Sequence, residues 1–201
     1  MKLNLGSADR HIDGFVCIDI APPECAVCDA GSQSYKGAYA SIVERTVDLS
    51  RVWKWADSSI EEVMALDVCE HVGDCPHIHW TGHVCELCGK GFSDEKRRHP
   101  LGRIHFLNEL HRVLIPGGRA TIETPNAAKG VGMWQDLTHC SPYCLSTFKY
   151  VEHGAFAHGR LAKAYGVTAA FKVISLTESR SNGEDPREEV WKIKAILEAV
   201  K

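Results

Sequence analysis

Short apolar runs bounded by small or polar residues are the dominant pattern of this chain. Runs of this kind predict buried β-strands, which are usually about three to ten residues long. Between the third and fourth runs, residues 106–114 have the pattern of a helix, and residues 116–118 follow as a turn. Strands that alternate with a helix predict an α/β fold. The predicted strands cover residues 2–5, 14–20, 60–68, 119–124, 170–176 and 190–197.

The turn after the first predicted strand consists of residues with very small side chains. Gly6, Ser7 and Ala8 allow a ligand to approach the backbone closely where the strand ends. Asp19, near the end of the second predicted strand, is placed to accept hydrogen bonds from two ribose hydroxyls. Together these features indicate a site for a nucleoside-bearing cofactor. An ordinary strand-to-helix connection is the alternative interpretation of the turn.

The predicted helix and the turn that follows it favour the cofactor site over an ordinary connection. Residues 109–114, leading into 116–118, resemble the corresponding part of class I S-adenosylmethionine-dependent methyltransferases of the type 11-like kind. The resemblance extends from the first strand to the C-terminus, apart from insertions at 24–45 and at about 73–100. It implies a Rossmann-like, doubly wound, mostly parallel sheet with a C-terminal antiparallel hairpin. At 201 residues the chain is expected to form a single domain, residues 1–201.

The resemblance also implies where S-adenosylmethionine binds. Gly6 would lie beside the methionine part of the cofactor, Asp19 would bind its ribose, and Asp48 with Leu49 would flank its adenine. The chain departs from the family pattern because Ser7 follows Gly6 where further glycines are usual, which leaves the pocket more open or closed by another segment or subunit. The full set of predicted cofactor contacts is Leu5, Gly6, Ser7, Ala8, Asp19, Ile20, Asp48, Leu49 and Asp67.

The segment after the strand that ends near Asn126 is expected to line the acceptor site, because it leaves the carboxyl edge of the sheet. Its Asp136 and His139 resemble the Asp-Pro-Thr-His segment of a phage and bacterial subgroup of these enzymes, with Leu137 in place of the proline. Both are candidates for acceptor binding or proton removal, although His139 as a brace for the loop is an equal alternative. His71 is the other candidate base. Catalysis without a base is the other alternative: alignment of the acceptor with the methyl group is sufficient in principle, since the sulfonium is an activated donor.

The second insertion is rich in cysteine and histidine. Cys85 and Cys88 are separated by two residues and followed by a glycine, which is typical of a metal-binding turn. A histidine-rich loop without metal is the alternative. We expect a small structural zinc (Zn²⁺) loop formed by Cys75, Cys85, Cys88 and one histidine, which is His77, with His79 and His99 as alternatives.

Two further features bear on this insertion. Cys25 and Cys28 form another pair with the same spacing, and they could join Cys85 and Cys88 in a four-cysteine site. Residues 83–93 also resemble the first half of a Cys2His2 zinc finger, but the spacing of the second half does not match. The finger-like segment leaves a zinc-containing nucleic-acid-binding protein, or a nucleic-acid methyltransferase on the same fold, as the alternative function.

Composition favours the first function, an S-adenosylmethionine-dependent methyltransferase that acts on a small-molecule, sugar or glycan acceptor. Lys plus Arg number 23 and Asp plus Glu 26, giving a formal net charge of −3, so no globally basic surface for nucleic acid is indicated. No stretch approaches the roughly 20 apolar residues that span a bilayer, so we expect a cytoplasmic protein with no membrane association. Lys192 and Lys194 alternate with apolar residues and are expected on a solvated strand face.

Overall fold

A computed structural model describes residues 1–7, 12–19, 45–47, 49–50, 52–73, 102–154, 162, 165–181 and 189–201. The strands are β1 (Lys2–Leu5), β2 (Val16–Asp19), β3 (Arg45–Thr46), β4 (Ile60–Leu66), β5 (Leu114–Gly130), β6 (Phe171–Ser181) and β7 (Val190–Ala199). The helices are α1 (Gly102–Val113), α2 (Leu145–Tyr150) and one turn of 3₁₀ helix at Cys69–His71.

Both predicted insertions lie almost entirely outside these ranges. The predicted zinc ligands Cys75, His77, Cys85 and Cys88 are therefore outside the described residues, as are Cys25 and Cys28.

The strands form one mixed sheet in the order β3-β2-β1-β4-β5-β7-β6. The five strands from β3 to β5 are parallel, and β7 is antiparallel to both of its neighbours. This agrees with the predicted mostly parallel sheet and with the antiparallel pairing of its last two strands. The turn between β6 and β7 lies at 182–188, outside the described residues.

The sequence pattern ended two strands too early, since β5 continues to Gly130 and β6 to Ser181, and it also misjudged the passage from α1 to β5. Leu114, predicted as the last residue of the helix, begins β5 and pairs with Ile60. The predicted turn at 116–118 lies inside β5, where the pairing register shifts before it resumes at Arg119. Gly117 takes a φ of +74° in this bulge, which is consistent with the one residue type that adopts such a φ without strain.

The order of the strands determines where a ligand crevice lies. From β1 the chain proceeds outward through β2 to β3, and then returns to place β4 on the other side of β1. In open α/β sheets such a reversal opens a crevice outside the carboxyl ends of the two central strands. The ends of β1 and β4 therefore border the expected site. In the described ranges no helix is long and apolar enough to cross a membrane.

Arg112 explains much of the conspicuous motif at 109–114. Its guanidinium bonds both carboxylate oxygens of Glu109 and donates to the carbonyls of Trp53 and Trp55, at 2.8–2.9 Å. Glu109 also accepts from the Trp53 N–H at 2.8 Å. Burial alone would raise the pKa of Glu109, but Arg112 and Trp53 hold it below its ordinary value. The motif therefore fastens α1 to the segment that precedes β4.

Replacing Arg112 with alanine is expected to lower the free energy of unfolding by about 1–3 kcal/mol, because two backbone carbonyls and the Glu109 carboxylate lose their donor. Arg119→Ala is the control, since that guanidinium is 60% exposed and lies 3.4 Å from Glu198. We expect the control to change stability by less than about 0.5 kcal/mol. Urea unfolding followed by circular dichroism measures both, and equal losses would contradict this role of Arg112.

Candidate active site

The backbone turn after β1 packs directly against Val68, the second residue after β4. Gly6 has a φ of +62°, in the left-handed region that favours glycine. A Cβ at this position would lie 2.5 Å from the Cβ of Val68. The Ser7 N–H donates to the Ile18 carbonyl at 3.1 Å, which holds the turn against β2. Backbone conformation and lack of space thus both require glycine at position 6.

Most of the predicted cofactor residues lie at this carboxyl edge. Leu5 pairs with Ile18 on one side and Ala65 on the other, so three strand ends lie side by side. Leu49 lies three residues after β3, and its side chain is buried in the hydrophobic core, as is that of Leu5. The residues that the structure brings to the edge are Leu5, Gly6, Ser7, Asp19 and Asp67, whereas Ala8, Ile20 and Asp48 lie outside the described residues.

Asp67, directly after β4, belongs to an ion-pair network that also includes one residue of β5 and one of β7. Its backbone has a φ of +55°, and its N–H donates to the Glu123 carbonyl at 2.8 Å. Lys192 donates to the carboxylates of Asp67 at 2.6 Å and Glu123 at 3.2 Å. Burial lowers the pKa of Lys192, but the two carboxylates outweigh it and raise the pKa. The expectation of a solvated Lys192 is therefore wrong, although Lys194 is exposed as predicted.

The segment after β5 is held to the end of β4 by backbone hydrogen bonds. The Glu70 carbonyl accepts the N–H groups of Cys140 and Ser141, both at 2.9 Å. The Ser141 hydroxyl donates to the Val72 carbonyl at 2.6 Å. We call residues 131–141 the acceptor loop. These bonds place it directly beside His71.

A hydrogen-bond relay connects the acceptor loop to His71. The Thr138 hydroxyl donates to Asp136 Oδ1 at 2.7 Å and lies 2.9 Å from His71 Nδ1. Because the one hydroxyl proton is used on the carboxylate, His71 Nδ1 must donate to the hydroxyl. The Thr138 hydrogen bonds lower the pKa of Asp136. His71 is thereby held with its proton on Nδ1.

His139 lies against His71 and is oriented in the same way. The two ring centroids are 4.7 Å apart in an edge-to-face contact. His139 Nδ1 lies 3.1 Å from the Met133 carbonyl, which only accepts, so Nδ1 carries the proton. His139 Nε2 lies 3.7 Å from Asp136 Oδ2. The structure thus brings together the three residues predicted for the acceptor side, His71, Asp136 and His139.

Glu70 is a site residue that the sequence analysis missed. Its side chain is 1% exposed, and its Oε2 accepts from the Thr124 hydroxyl at 3.0 Å. Burial raises the pKa of this carboxyl. One ligand atom from each of Glu70, His71 and His139 lies within 4.8 Å of the other two. A glutamate directly before His71 at a strand end was the available signal.

Comparison with solved structures identifies the fold. The 1,6-didemethyltoxoflavin-N1-methyltransferase of Burkholderia thailandensis, solved with S-adenosylhomocysteine and 1,6-didemethyltoxoflavin, superposes with a TM-score of 0.53. The superposition covers 100% of this chain and 71% of that one, at 11% identity. The chain has a class I S-adenosylmethionine-dependent methyltransferase fold.

Two more methyltransferases share this fold. A SAM-dependent methyltransferase from Archaeoglobus fulgidus matches with a TM-score of 0.50 over 98% of this chain and 85% of that one, at 11% identity. The N-methyltransferase NodS of Bradyrhizobium japonicum, in complex with S-adenosylhomocysteine, has the same TM-score and identity over 100% and 78%. No protein-family model and no curated protein matches the sequence. The similarity is therefore one of fold.

Gly6→Ala is expected to destabilise the protein more than Gly166→Ala does. Gly166 has a φ of +80° but no atom within 4 Å of an added Cβ, so its alanine variant reports backbone strain alone, about 1 kcal/mol. Gly6→Ala adds the overlap with Val68, which should cost at least about 1 kcal/mol more. Urea unfolding compares the two variants. Equal destabilisation would show that the turn can move away from Val68.

Proposed function

We propose that this protein transfers the methyl group of S-adenosylmethionine to a small-molecule, sugar or glycan acceptor. One observation carries the proposal: two groups of residues lie together where the strand order reverses, in a sheet with a methyltransferase fold. We call them the cofactor half and the acceptor half of the site. The cofactor half is the glycine turn after β1, and the acceptor half is the cluster of polar side chains from the 3₁₀ turn after β4 and the acceptor loop after β5. A donor and an acceptor bound in these halves would meet at the end of β4.

The cofactor half is assigned by the position of its residues. Gly6 leaves room for the methionine part of the cofactor, and Asp19, as the last residue of β2, is suited to bind the ribose. Leu5 and Ser7, whose side chains are buried, are assigned contacts through their backbone. Asp67 is assigned a supporting role, because its carboxylate already pairs with Lys192. The full proposed set still includes Ala8, Ile20, Asp48 and Leu49.

The acceptor half consists of His71, Asp136 and His139. Their hydrogen bonds leave Nε2 of each imidazole as the nitrogen with an available lone pair. Such a nitrogen accepts a hydrogen bond from an acceptor hydroxyl or amine, which orients the nucleophile and provides a base for its proton. The proposed catalytic contribution is therefore orientation of the acceptor together with proton acceptance.

A small-molecule acceptor is favoured by charge and by the compared structures. The chain carries a formal net charge of −3, whereas nucleic-acid sites are usually strongly basic. The Burkholderia enzyme was solved with a small heterocycle, 1,6-didemethyltoxoflavin. The finger-like run at 83–93 supports the second candidate, a nucleic-acid acceptor, and a test for retention on nucleic acid separates the two.

Asp19→Ala is expected to raise the dissociation constant for S-adenosylhomocysteine by roughly 10- to 100-fold. Loss of charge-assisted hydrogen bonds to the ribose is worth about 1.5–3 kcal/mol. The control is Asp13→Ala, an exposed carboxylate in the turn before β2, which should keep wild-type affinity. Isothermal titration calorimetry measures all three proteins. Failure of the folded wild type to bind would contradict the proposed function, and unchanged affinity in Asp19→Ala would contradict only the role of that residue.

We also expect about one structural zinc per chain in the insertion. A glycine-rich loop of this composition has little apolar surface with which to order itself, so metal binding would provide the folding energy. Replacing Cys85 and Cys88 together by serine should remove the zinc, whereas Cys144→Ser, which changes a half-buried free thiol, should retain it. Elemental analysis of protein purified without added zinc measures the content. Zinc-free wild-type protein would contradict the expectation.

A further inference from the structure

We propose that Glu70, His71 and His139 bind a divalent first-row transition-metal ion at the acceptor half of the crevice. One ligand atom from each residue lies within 4.8 Å of the other two. Ligands bound at about 2.0–2.2 Å from one metal lie roughly 3–4 Å from each other. A shift of the side chains by less than about 1 Å would therefore complete the site.

The two imidazoles are already held in the tautomer that a metal requires. A ligating histidine usually donates its second ring N–H to a carbonyl or to a hydrogen-bonded acceptor, which orients the ring and raises its basicity. His139 donates through Nδ1 to the Met133 carbonyl. His71 donates through Nδ1 to Thr138, whose hydroxyl is bonded in turn to the Asp136 carboxylate. Each ring thus keeps an Nε2 lone pair for a ligand.

Glu70 gives an independent reason to place a cation here. Its side chain is buried, and its Oε1 has no hydrogen-bond partner among the described residues. No described lysine or arginine forms an ion pair with it. A buried carboxylate oxygen without a partner is costly. A bound cation would give this oxygen the partner that it lacks, and it would balance the negative charge of the carboxylate.

Asp136 adds to this argument. Its Oδ2 lies 3.7 Å from His139 Nε2, so a carboxylate faces a nitrogen lone pair. That arrangement is repulsive unless a proton or a cation lies between or beside the two atoms. Asp136 Oδ1 accepts hydrogen bonds from the Thr138 N–H at 2.8 Å and the Thr138 hydroxyl at 2.7 Å. Asp136 therefore adds negative charge next to the three ligand atoms.

The ligand set selects the kind of ion. Two imidazoles and one carboxylate suit Mn²⁺, Fe²⁺, Co²⁺ or Zn²⁺, whereas Mg²⁺ and Ca²⁺ prefer oxygen ligands alone. Three protein ligands leave coordination positions open for water or for an acceptor oxygen. With the ion bound, the Nε2 lone pairs would be used on the metal, so the ion in place of the imidazoles would orient the acceptor and polarise its O–H or N–H bond. This role in holding an acceptor rests on the proposed function. Binding of the ion itself does not, and it is measured without turnover.

Mn²⁺ is the probe, detected by loss of the free-ion signal in electron paramagnetic resonance. The protein is purified without added Zn²⁺ and passed through gel filtration with a weak chelator, which clears the imidazole and carboxylate site but leaves Zn²⁺ held tightly by thiolates, because the proposed site would otherwise bind Zn²⁺ ahead of Mn²⁺. We expect saturable binding of about one Mn²⁺ per chain. Glu70→Gln and His139→Ala should weaken binding at least about tenfold, and Thr138→Val should weaken it by about 10- to 100-fold through the orientation of His71.

His153→Ala, an exposed histidine after α2, is the control and should bind Mn²⁺ like the wild type. Circular dichroism checks the fold of each variant. If Glu70→Gln fails to fold, His139→Ala in the acceptor loop decides. No saturable binding by wild type, or equal affinity in wild type and His139→Ala, would overturn the proposal. Calorimetry with S-adenosylhomocysteine on the same samples separates the outcomes, since cofactor binding without Mn²⁺ binding refutes the metal site and leaves the methyltransferase proposal intact.

Discussion

The candidate site depends on one backbone oxygen, the carbonyl of Glu70. It accepts N–H groups from Cys140 and Ser141, and these two bonds bring a segment that follows β5 to the end of β4. Together with the contact between Thr138 and His71 Nδ1, they bring His139 against His71, although the two histidines are far apart in sequence. The side chain of the same residue extends toward the two imidazoles. Glu70 therefore anchors the acceptor loop through its backbone and contributes to the site through its carboxyl group.

Residues 67–71 divide structural and chemical tasks over a few positions. Asp67 joins Lys192 and Glu123 in an ion pair that connects β4, β5 and β7. Val68 fills the space above Gly6, and the 3₁₀ turn then presents Glu70 and His71. A short turn of this kind allows neighbouring side chains to point toward different elements. The sheet is thus fastened at the same place where donor and acceptor are proposed to meet.

Much of the architecture could be predicted from the sequence, because short apolar runs are a direct signal of buried strands. His71 was predicted from its position after a strand, and Asp136 and His139 from their resemblance to a segment of a methyltransferase subgroup. Their mutual contact depends on long-range hydrogen bonds that no local pattern encodes. Glu70 was missed since a glutamate at a strand end is ordinarily solvated. Lys192 was misjudged for a related reason: alternation along β7 gives its face, but not the two carboxylates that converge on that face.

The acceptor loop is anchored by hydrogen bonds of its backbone, and this leaves many of its side chains free to vary. Two of the bonds that hold the loop join main-chain atoms, so they persist when the side chains of the loop are exchanged. Trp134 and Leu137 project from the loop with 65% and 99% exposure, which makes them replaceable without loss of core packing. Selection, or an engineer, can therefore vary the rim of the crevice while its frame stays in register.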